Sequence, residues 1–183
     1  ADNSVASEIL FHEDNPMLFI DTAGCGFEEI KEGNSISNQE EAAFLVKHLS
    51  LYVEDINLHY EKTSYPSIGI ISPYRHQVEI LKDQIASSDL LSPYSQRMTI
   101  STIDSFQGQE KEAIVLSLVR SNDEGEIGFL KDYRRMNVAM TRAKEQLFVI
   151  GDSATVGADS FYNKFLSYVE EHGTYRTVWE FEL

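Results

Sequence analysis

Several common features are missing from this 183-residue chain, and each absence excludes some classes of protein. One cysteine, Cys25, cannot form an internal disulfide, which favours a reducing, cytoplasmic-type compartment. No apolar run approaches the roughly 20 residues that a membrane-spanning helix needs. The start of the chain is acidic and polar, so it is no secretory signal. It has no initiator Met, which favours a fragment of a longer chain. We expect an intracellular protein without a membrane partner.

Basic residues are also scarce. Fifteen Lys and Arg against 30 Asp and Glu give a net charge of −15. This balance argues at first against nucleic acid, because binding draws on Lys and Arg to neutralise phosphates. However, residues 97–147 hold eight basic and eight acidic residues, so the rest of the chain carries the whole net charge. The objection is therefore weaker for this stretch, while the acidic surface elsewhere keeps the domain soluble.

Several catalytic and cofactor motifs are absent as well. No glycine is followed by lysine, which excludes a phosphate loop, and Gly24 and Gly26 lack the third glycine of a dinucleotide-binding turn. Five scattered histidines with one cysteine provide no zinc spacing, so we predict no metal ligands. Asp21 ends an apolar strand as a magnesium ligand would, but without a phosphate loop a strand-end cap is the better interpretation. The missing third glycine also disfavours a nucleotide-binding Rossmann domain.

Apolar runs alternate with helical patterns along the chain. We predict strands at 16–21, 68–71, 98–101, 113–118 and 147–150, and helices at 38–53, 74–86, 133–144 and 161–171. This alternation predicts an α/β domain with a mostly parallel sheet covered by helices on both faces. Residues 1–15 are predicted to be a lead-in segment or linker, and residues 16–183 one domain. Trp179 and most of the tyrosines are predicted to belong to the core.

Polar turns follow three of the predicted strands, where parallel sheets collect ligands. The turn after 98–101 offers the hydroxyls of Thr102 and Ser105, the carboxylate of Glu110, and Gly108, which permits a close backbone approach. Hydroxyls and amides suit phosphates, and a carboxylate suits sugar hydroxyls. An ordinary capped turn explains the same residues equally well.

The segment from Asp132 to Lys144 makes a sharper prediction. Asp132 can cap the helix that follows, and Arg135 and Arg142 are two turns apart, so they would project from one face. An arginine held in this way can meet a phosphate with a planar fork of donors. The alternative is a pair of arginines that are solvated or ion-paired on the surface.

Taken in order, these segments resemble the C-terminal motifs of superfamily 1 helicases. The resemblance is to the up-frameshift-like branch, and closest to the immunoglobulin-mu-binding-protein type. The segments that carry it are Ile20-Asp-Thr-Ala-Gly-Cys-Gly26, Ser72-Pro-Tyr-Arg-His-Gln77, Ser101-Thr-Ile-Asp-Ser-Phe-Gln-Gly-Gln-Glu-Lys-Glu112, Ser117-Leu-Val-Arg-Ser-Asn122 and Gly128-Phe-Leu-Lys-Asp-Tyr-Arg-Arg-Met-Asn-Val-Ala-Met-Thr-Arg-Ala-Lys144. The set spans most of the chain and is more specific than any one motif.

The resemblance implies the second of two RecA-like domains, which close around ATP and grip a single strand of DNA or RNA. It implies magnesium-ATP bound mainly by an N-terminal RecA-like domain, and movement in the 5′ to 3′ direction. It assigns the arginine finger to Arg142 and the ribose contact to Glu110. Further implied roles are coupling of nucleotide to strand (Gln107, Gly108), the strand track (Ser72, Tyr74, Thr102) and a second cleft arginine (Arg135).

One position departs from the pattern of the family. Some members of the branch follow the Asn of a Ser-x-x-Asn-x-x-Glu pattern with an arginine, whereas here Ser35-Ile-Ser-Asn38 is followed by Gln39. Either Arg142 acts alone, or Arg75 or Arg135 compensates. The chain by itself is expected to be inactive, because the cleft needs both domains. A stand-alone nucleic-acid-binding or regulatory module remains the alternative.

Overall fold

The computed structural model describes residues 17–61, 64–106 and 109–181. Its strands are β1 (Met17–Asp21), β2 (Ile30–Glu32), β3 (Ser35–Ser37), β4 (Ile68–Ser72), β5 (Met98–Thr102), β6 (Lys111–Ser117), β7 (Ala143–Gly151) and β8 (Thr174–Thr177). Its α-helices are α1 (Gln39–His59), α2 (Arg75–Ala86), α3 (Tyr133–Met140), α4 (Ser153–Val156) and α5 (Ser160–His172). Short 3-10 helices lie at Ser92–Arg97, Asp104–Phe106, Gly128–Lys131 and Val178–Glu180. The predicted lead-in, 1–15, lies outside the described residues, so its boundary stays a prediction.

Six strands form one sheet in the order β5-β4-β6-β7-β1-β8, and every neighbouring pair is parallel. The five strands expected from apolar runs are all among them, and the predicted α/β class is confirmed. Two features were not predicted: the edge strand β8 and the antiparallel hairpin β2–β3, which turns at Gly33 with a φ of +61°. Both are short and polar, so no apolar run predicts them.

Helices cover both faces of the sheet, because successive side chains of a strand point in opposite directions. In β1, Leu18 and Ile20 pack into a core with α1 and α2, whereas Phe19 packs into a second core with α3 and α5. The same alternation along β7 sends Phe148 to the first core and Val149 to the second. Two hydrophobic cores therefore hold the sheet between two layers of helices.

The helix predicted at 133–144 is wrong at its C-terminal end. Helix α3 ends at Met140, Thr141 caps it, and the chain enters strand β7 at Ala143. The backbone N–H of Lys111 donates to the Arg142 carbonyl oxygen at 3.1 Å, which draws this segment into the sheet beside β6. Arg135 and Arg142 therefore do not lie on one face of a single helix.

Two smaller expectations also need correction. Helix α1 was predicted to end at Val53, but it continues to His59, because Ile56 is fully buried one turn later. Trp179 was placed in the core, whereas it is 69% exposed in the last 3-10 helix. Among the described residues, no helix is long and apolar enough to cross a membrane.

Candidate functional site

The arginines of the sequence prediction line a cavity of about 420 Å³ near the carboxyl ends of β4 and β5. Its walls come from the end of β4, from residues 103–106 that follow β5, and from α3 with the turn after it. The lining residues are Ile71, Ile103, Asp104, Phe106, Asp132, Arg134, Arg135, Val138, Ala139 and Arg142. Arg135 and Arg142 thus meet in one cavity, although not by the helical spacing that was predicted.

Arg142 is held by its backbone in the turn between α3 and β7. Its N–H donates to the Ala139 carbonyl oxygen at 3.3 Å, and its own carbonyl oxygen accepts from Lys111. Its side-chain Nε is buried and finds no hydrogen-bond partner among the described residues. An unpaired buried donor costs about 1–3 kcal/mol or more for a charged group, so this position favours an anionic oxygen as partner.

Arg135 differs from Arg142 because carboxylates already surround it. Its guanidinium lies 3.0 Å from the carboxylate of Asp104 and 3.0 Å from that of Asp132, and all three side chains are exposed. Asp132 also caps α3, as predicted, by accepting from the Arg135 N–H at 3.2 Å. The charge of Arg135 is therefore balanced within this domain.

The predicted nucleotide contacts after β5 are only partly described. Gln107 and Gly108 lie outside the described residues. Glu110 is exposed, and its carboxylate lies 3.9 Å from the Lys144 Nζ, at the start of β7. Glu110 does not line the arginine cavity, so its predicted ribose contact stays a prediction.

The residues predicted along the strand track differ in their exposure. Thr102, at the end of β5, is half-buried, and its hydroxyl donates to Ser105 Oγ at 3.2 Å. Ser72 is fully buried at the end of β4, and Tyr74 is 4% exposed. Their predicted contact with a strand stays a prediction, and Ser72 and Tyr74 leave almost no surface exposed for it in this domain.

Tyr74 instead belongs to a buried group around Arg120 that was not singled out from the sequence. The Arg120 guanidinium lies 3.1 Å from the Glu29 carboxylate and donates to Tyr74 Oη at 3.2 Å. The backbone N–H of Phe129 also donates to Tyr74 Oη, at 3.2 Å. The Phe129 ring stacks on that of Tyr74 with centroids 5.2 Å apart and remains 65% exposed. The only sequence signal for Phe129 was that it lies in the Gly128–Lys144 motif.

A second buried network joins the start of α1 to the end of β6. Glu41 is fully buried, and its Oε1 accepts from Ser117 Oγ at 2.7 Å and from the Val119 N–H at 2.9 Å. Burial raises the pKa of Glu41 to about 7, although these hydrogen bonds act in the opposite direction. Val119 has a φ of +72°, a strained value for a β-branched residue. The network therefore fixes the chain that leads into Arg120.

Asp21 is confirmed as a strand-end cap. Its carboxylate accepts from the backbone N–H groups of Ala23 and Ser153 at 2.9 and 3.0 Å, and from the hydroxyls of Ser153 and Tyr175 at 2.5 Å. These four hydrogen bonds saturate the carboxylate. Within the described ranges, no three His, Cys, Asp or Glu side chains cluster as metal ligands would. Gln39, the residue that departs from the helicase pattern, is exposed at the first position of α1.

Comparison with known proteins gives the family. The model of a family described as "AAA domain" matches residues 2–154. DNA-binding protein SMUBP-2 of Mesocricetus auratus is 40% identical over 168 residues, which cover 91% of this chain and 16% of that protein. DNA polymerase alpha-associated DNA helicase A of Saccharomyces cerevisiae is 43% identical over 141 residues, covering 75% and 19%. The human DNA replication ATP-dependent helicase/nuclease DNA2 is 37% identical over 143 residues, covering 78% and 12%.

The chain therefore spans less than a fifth of the length of these curated relatives. The family match extends over more than half of the chain and includes the segments of the arginine cavity and of the strand ends. The relatives include proteins named as helicases, in agreement with the ordered motifs. The chain belongs to this AAA domain family, within the up-frameshift-like branch of the superfamily 1 helicases.

Proposed function

We propose that this chain is the C-terminal motor domain of a longer ATP-dependent helicase. The family match and the helicase names of its relatives support the reaction. The missing phosphate loop supports the view that a preceding RecA-like domain binds most of the magnesium-ATP. The proposal includes single-stranded DNA or RNA as partner, movement in the 5′ to 3′ direction and an intracellular location.

The observation that carries this proposal is the unpartnered, buried Nε of Arg142 in the arginine cavity. A planar guanidinium with free donors fits the oxygens of a terminal phosphate. In the assembled parent protein, Arg142 would contact that phosphate across the cleft and stabilise the charge that develops on the moving group. Such an arginine finger is worth about 10³ to 10⁵ in rate.

Other residues would hold the nucleotide without taking part in the phosphoryl transfer. Glu110 would accept from the ribose hydroxyls, and Gln107 and Gly108 would link the nucleotide to the strand. Arg135 is the second cleft arginine of this proposal, but it would first have to leave Asp104 and Asp132. ATP supplies the free energy of the cycle, and closure of the two domains brings Arg142 to it.

The test is ATP hydrolysis by the full-length parent protein, with and without single-stranded DNA or RNA. Arg142→Ala should lower the strand-stimulated rate by at least about 10³-fold while ATP still binds. Arg142→Lys should restore little of the rate, because an ammonium lacks the planar fork. Arg176→Ala, at the far edge strand β8, is the matched control and should hydrolyse ATP normally.

Three results would count against parts of the proposal. Turnover that survives Arg142→Ala would move the finger to Arg135 or Arg75. Strong hydrolysis by the isolated 183-residue chain would show that the cleft does not need a second domain. A wild-type parent that binds a strand but never hydrolyses ATP would favour the binding-module alternative.

A further inference from the structure

Phe129 is a large apolar side chain that remains exposed to solvent in the folded domain. Its ring is 65% exposed, in the 3-10 helix that precedes α3. The ring nevertheless lies against the surface, because it stacks on the Tyr74 ring with an interplanar angle of 23°. The exposed ring therefore lies on a fixed support.

Several polar contacts hold Tyr74, the residue on which Phe129 stacks. The Tyr74 hydroxyl contacts the Arg120 guanidinium and the Phe129 N–H, both at 3.2 Å, and Arg120 is held by the partly buried carboxylate of Glu29. Gly128 has a φ of +49°, and a Cβ there would overlap the Arg120 guanidinium and lie 2.7 Å from Tyr74 Oη. The backbone thus approaches the network as closely as only glycine allows. These contacts hold the Tyr74 ring on which Phe129 stacks.

Two grooves meet at this ring. One, of about 290 Å³, is lined by Pro73, Ile103 and Arg135 among others. The other, of about 450 Å³, is lined by Ile36, Arg75 and His76 among others. In the first groove Arg135 is paired with Asp104 and Asp132, which line the same groove, so Arg75 in the second groove is the arginine that remains available beside the ring. Arg75 has no ion pair among the described residues, whereas His76 lies 3.6 Å from Glu79.

We propose that Phe129 is a stacking platform for one base of a single nucleic-acid strand, with Arg75 beside it for a neighbouring phosphate. An exposed aromatic face with a cation next to it fits a base and the adjacent phosphate, because every base has a π-face. This inference rests on the proposed function, and it adds a base contact to a track whose other expected contacts are to the backbone. Thr102, a residue of the proposed track, directly precedes Ile103, which lines the first groove.

The test measures dissociation constants of the full-length parent protein at one fixed salt concentration. The probes are an oligothymidine and an oligonucleotide of equal length that is abasic throughout. Phe129→Ala should weaken binding to oligothymidine by about 5- to 100-fold, the range for loss of one base–aromatic stack. It should change binding to the abasic strand by less than about twofold.

Further variants separate stacking from damage to the fold. Phe129→Leu keeps the apolar contact with Tyr74 but removes the aromatic face, so it should behave like Phe129→Ala. Phe129→Tyr should restore wild-type affinity. Trp179→Ala is the matched control: Trp179 is 69% exposed and follows the edge strand β8, whereas Phe129 stacks on Tyr74, two residues after β4, near the opposite edge of the sheet.

The outcomes distinguish this inference from the proposed function. If the wild type binds oligothymidine and Phe129→Ala binds it equally well, the platform is refuted and the helicase proposal is untouched. Equal losses on the abasic strand would also refute stacking, because they would show a general defect of the surface. A wild-type parent that binds neither strand would overturn both proposals together.

Discussion

His48 lies in the middle of α1 with its imidazole ring fully buried, and we expect its removal to change how the stability of the domain depends on pH. The ring is surrounded by aromatic side chains, with centroids 5.2 Å from Phe148 and 5.5 Å from Phe181. Neither ring nitrogen has a hydrogen-bond partner among the described residues. Burial lowers the pKa of His48 from 6.5 to about 4, because no neighbour compensates a charge there.

The magnitude follows from the difference between the folded and unfolded states. A lowered folded pKa means that the unfolded chain binds the proton first as the pH falls below 6.5. The stability present above pH 6.5 is therefore lost progressively as the pH falls through about 4. At about 1.4 kcal/mol for each pKa unit, the loss between pH 7.5 and 5.0 amounts to about 2 kcal/mol.

The assay is urea unfolding of the 183-residue chain at pH 7.5 and pH 5.0, for the wild type and His48→Leu. Relative to wild type, the variant should gain about 2 kcal/mol of unfolding free energy on going to pH 5.0. Phe44→Leu, in the same aromatic cluster and without a titrating group, is the control and should differ from wild type equally at both pH values. A difference between wild type and His48→Leu that does not change with pH would refute the reasoning.

Three further predictions concern the two buried networks. Burial raises the pKa of Glu41 to about 7, so its stabilising contribution, fully present below pH 4.5, is lost as the pH rises through 7. Glu41→Gln should therefore gain about 2–3 kcal/mol over wild type between pH 5 and pH 8, measured by urea unfolding; a constant difference would contradict this. Gly128→Ala should destabilise the chain by more than about 1 kcal/mol in thermal unfolding, because its φ is +49° and its Cβ would overlap Arg120. An unchanged melting temperature would exclude the close approach. Arg120→Met should lower the unfolding free energy by about 3 kcal/mol, since it leaves the partly buried Glu29 carboxylate without its cation, and Glu29→Gln on top of Arg120→Met should recover part of the loss.

The layered fold could be predicted from the sequence, because a strand that is buried on both faces is apolar along nearly its whole length. The uncharged run Ile68-Gly-Ile-Ile71 predicts a buried strand, and β4 is buried along its whole length. Strand β8 could not be found in this way. Its side chains are half-buried at an edge, and it becomes a strand only because β1 lies beside it.

The sequence singled out Arg135 and Arg142, which meet in one cavity, but it did not predict the geometry that brings them together. No proline or glycine separates Met140 from Ala143, so the helical pattern runs on through Arg142 in the sequence. The helix ends there because the following segment pairs with β6, a tertiary effect that local spacing does not contain. Tyr74 and Phe129 show the same limit. Tyr74 is buried and Phe129 is exposed because of a contact between residues that are distant in the chain, which local spacing does not show.

The position of β1 in the sheet has a consequence for how the chain acquires its structure. Met17 pairs with Leu147 on one side, and Leu18 pairs with Thr174 on the other. Strand β1 therefore cannot pair until β7 and β8 have been synthesised. Nearly the whole domain must leave the ribosome before this part of the sheet can form. Pairings between such distant segments form slowly, and the unpaired apolar strand is exposed meanwhile. Chains truncated before β8 should consequently aggregate during synthesis, even though they retain every residue of the arginine cavity.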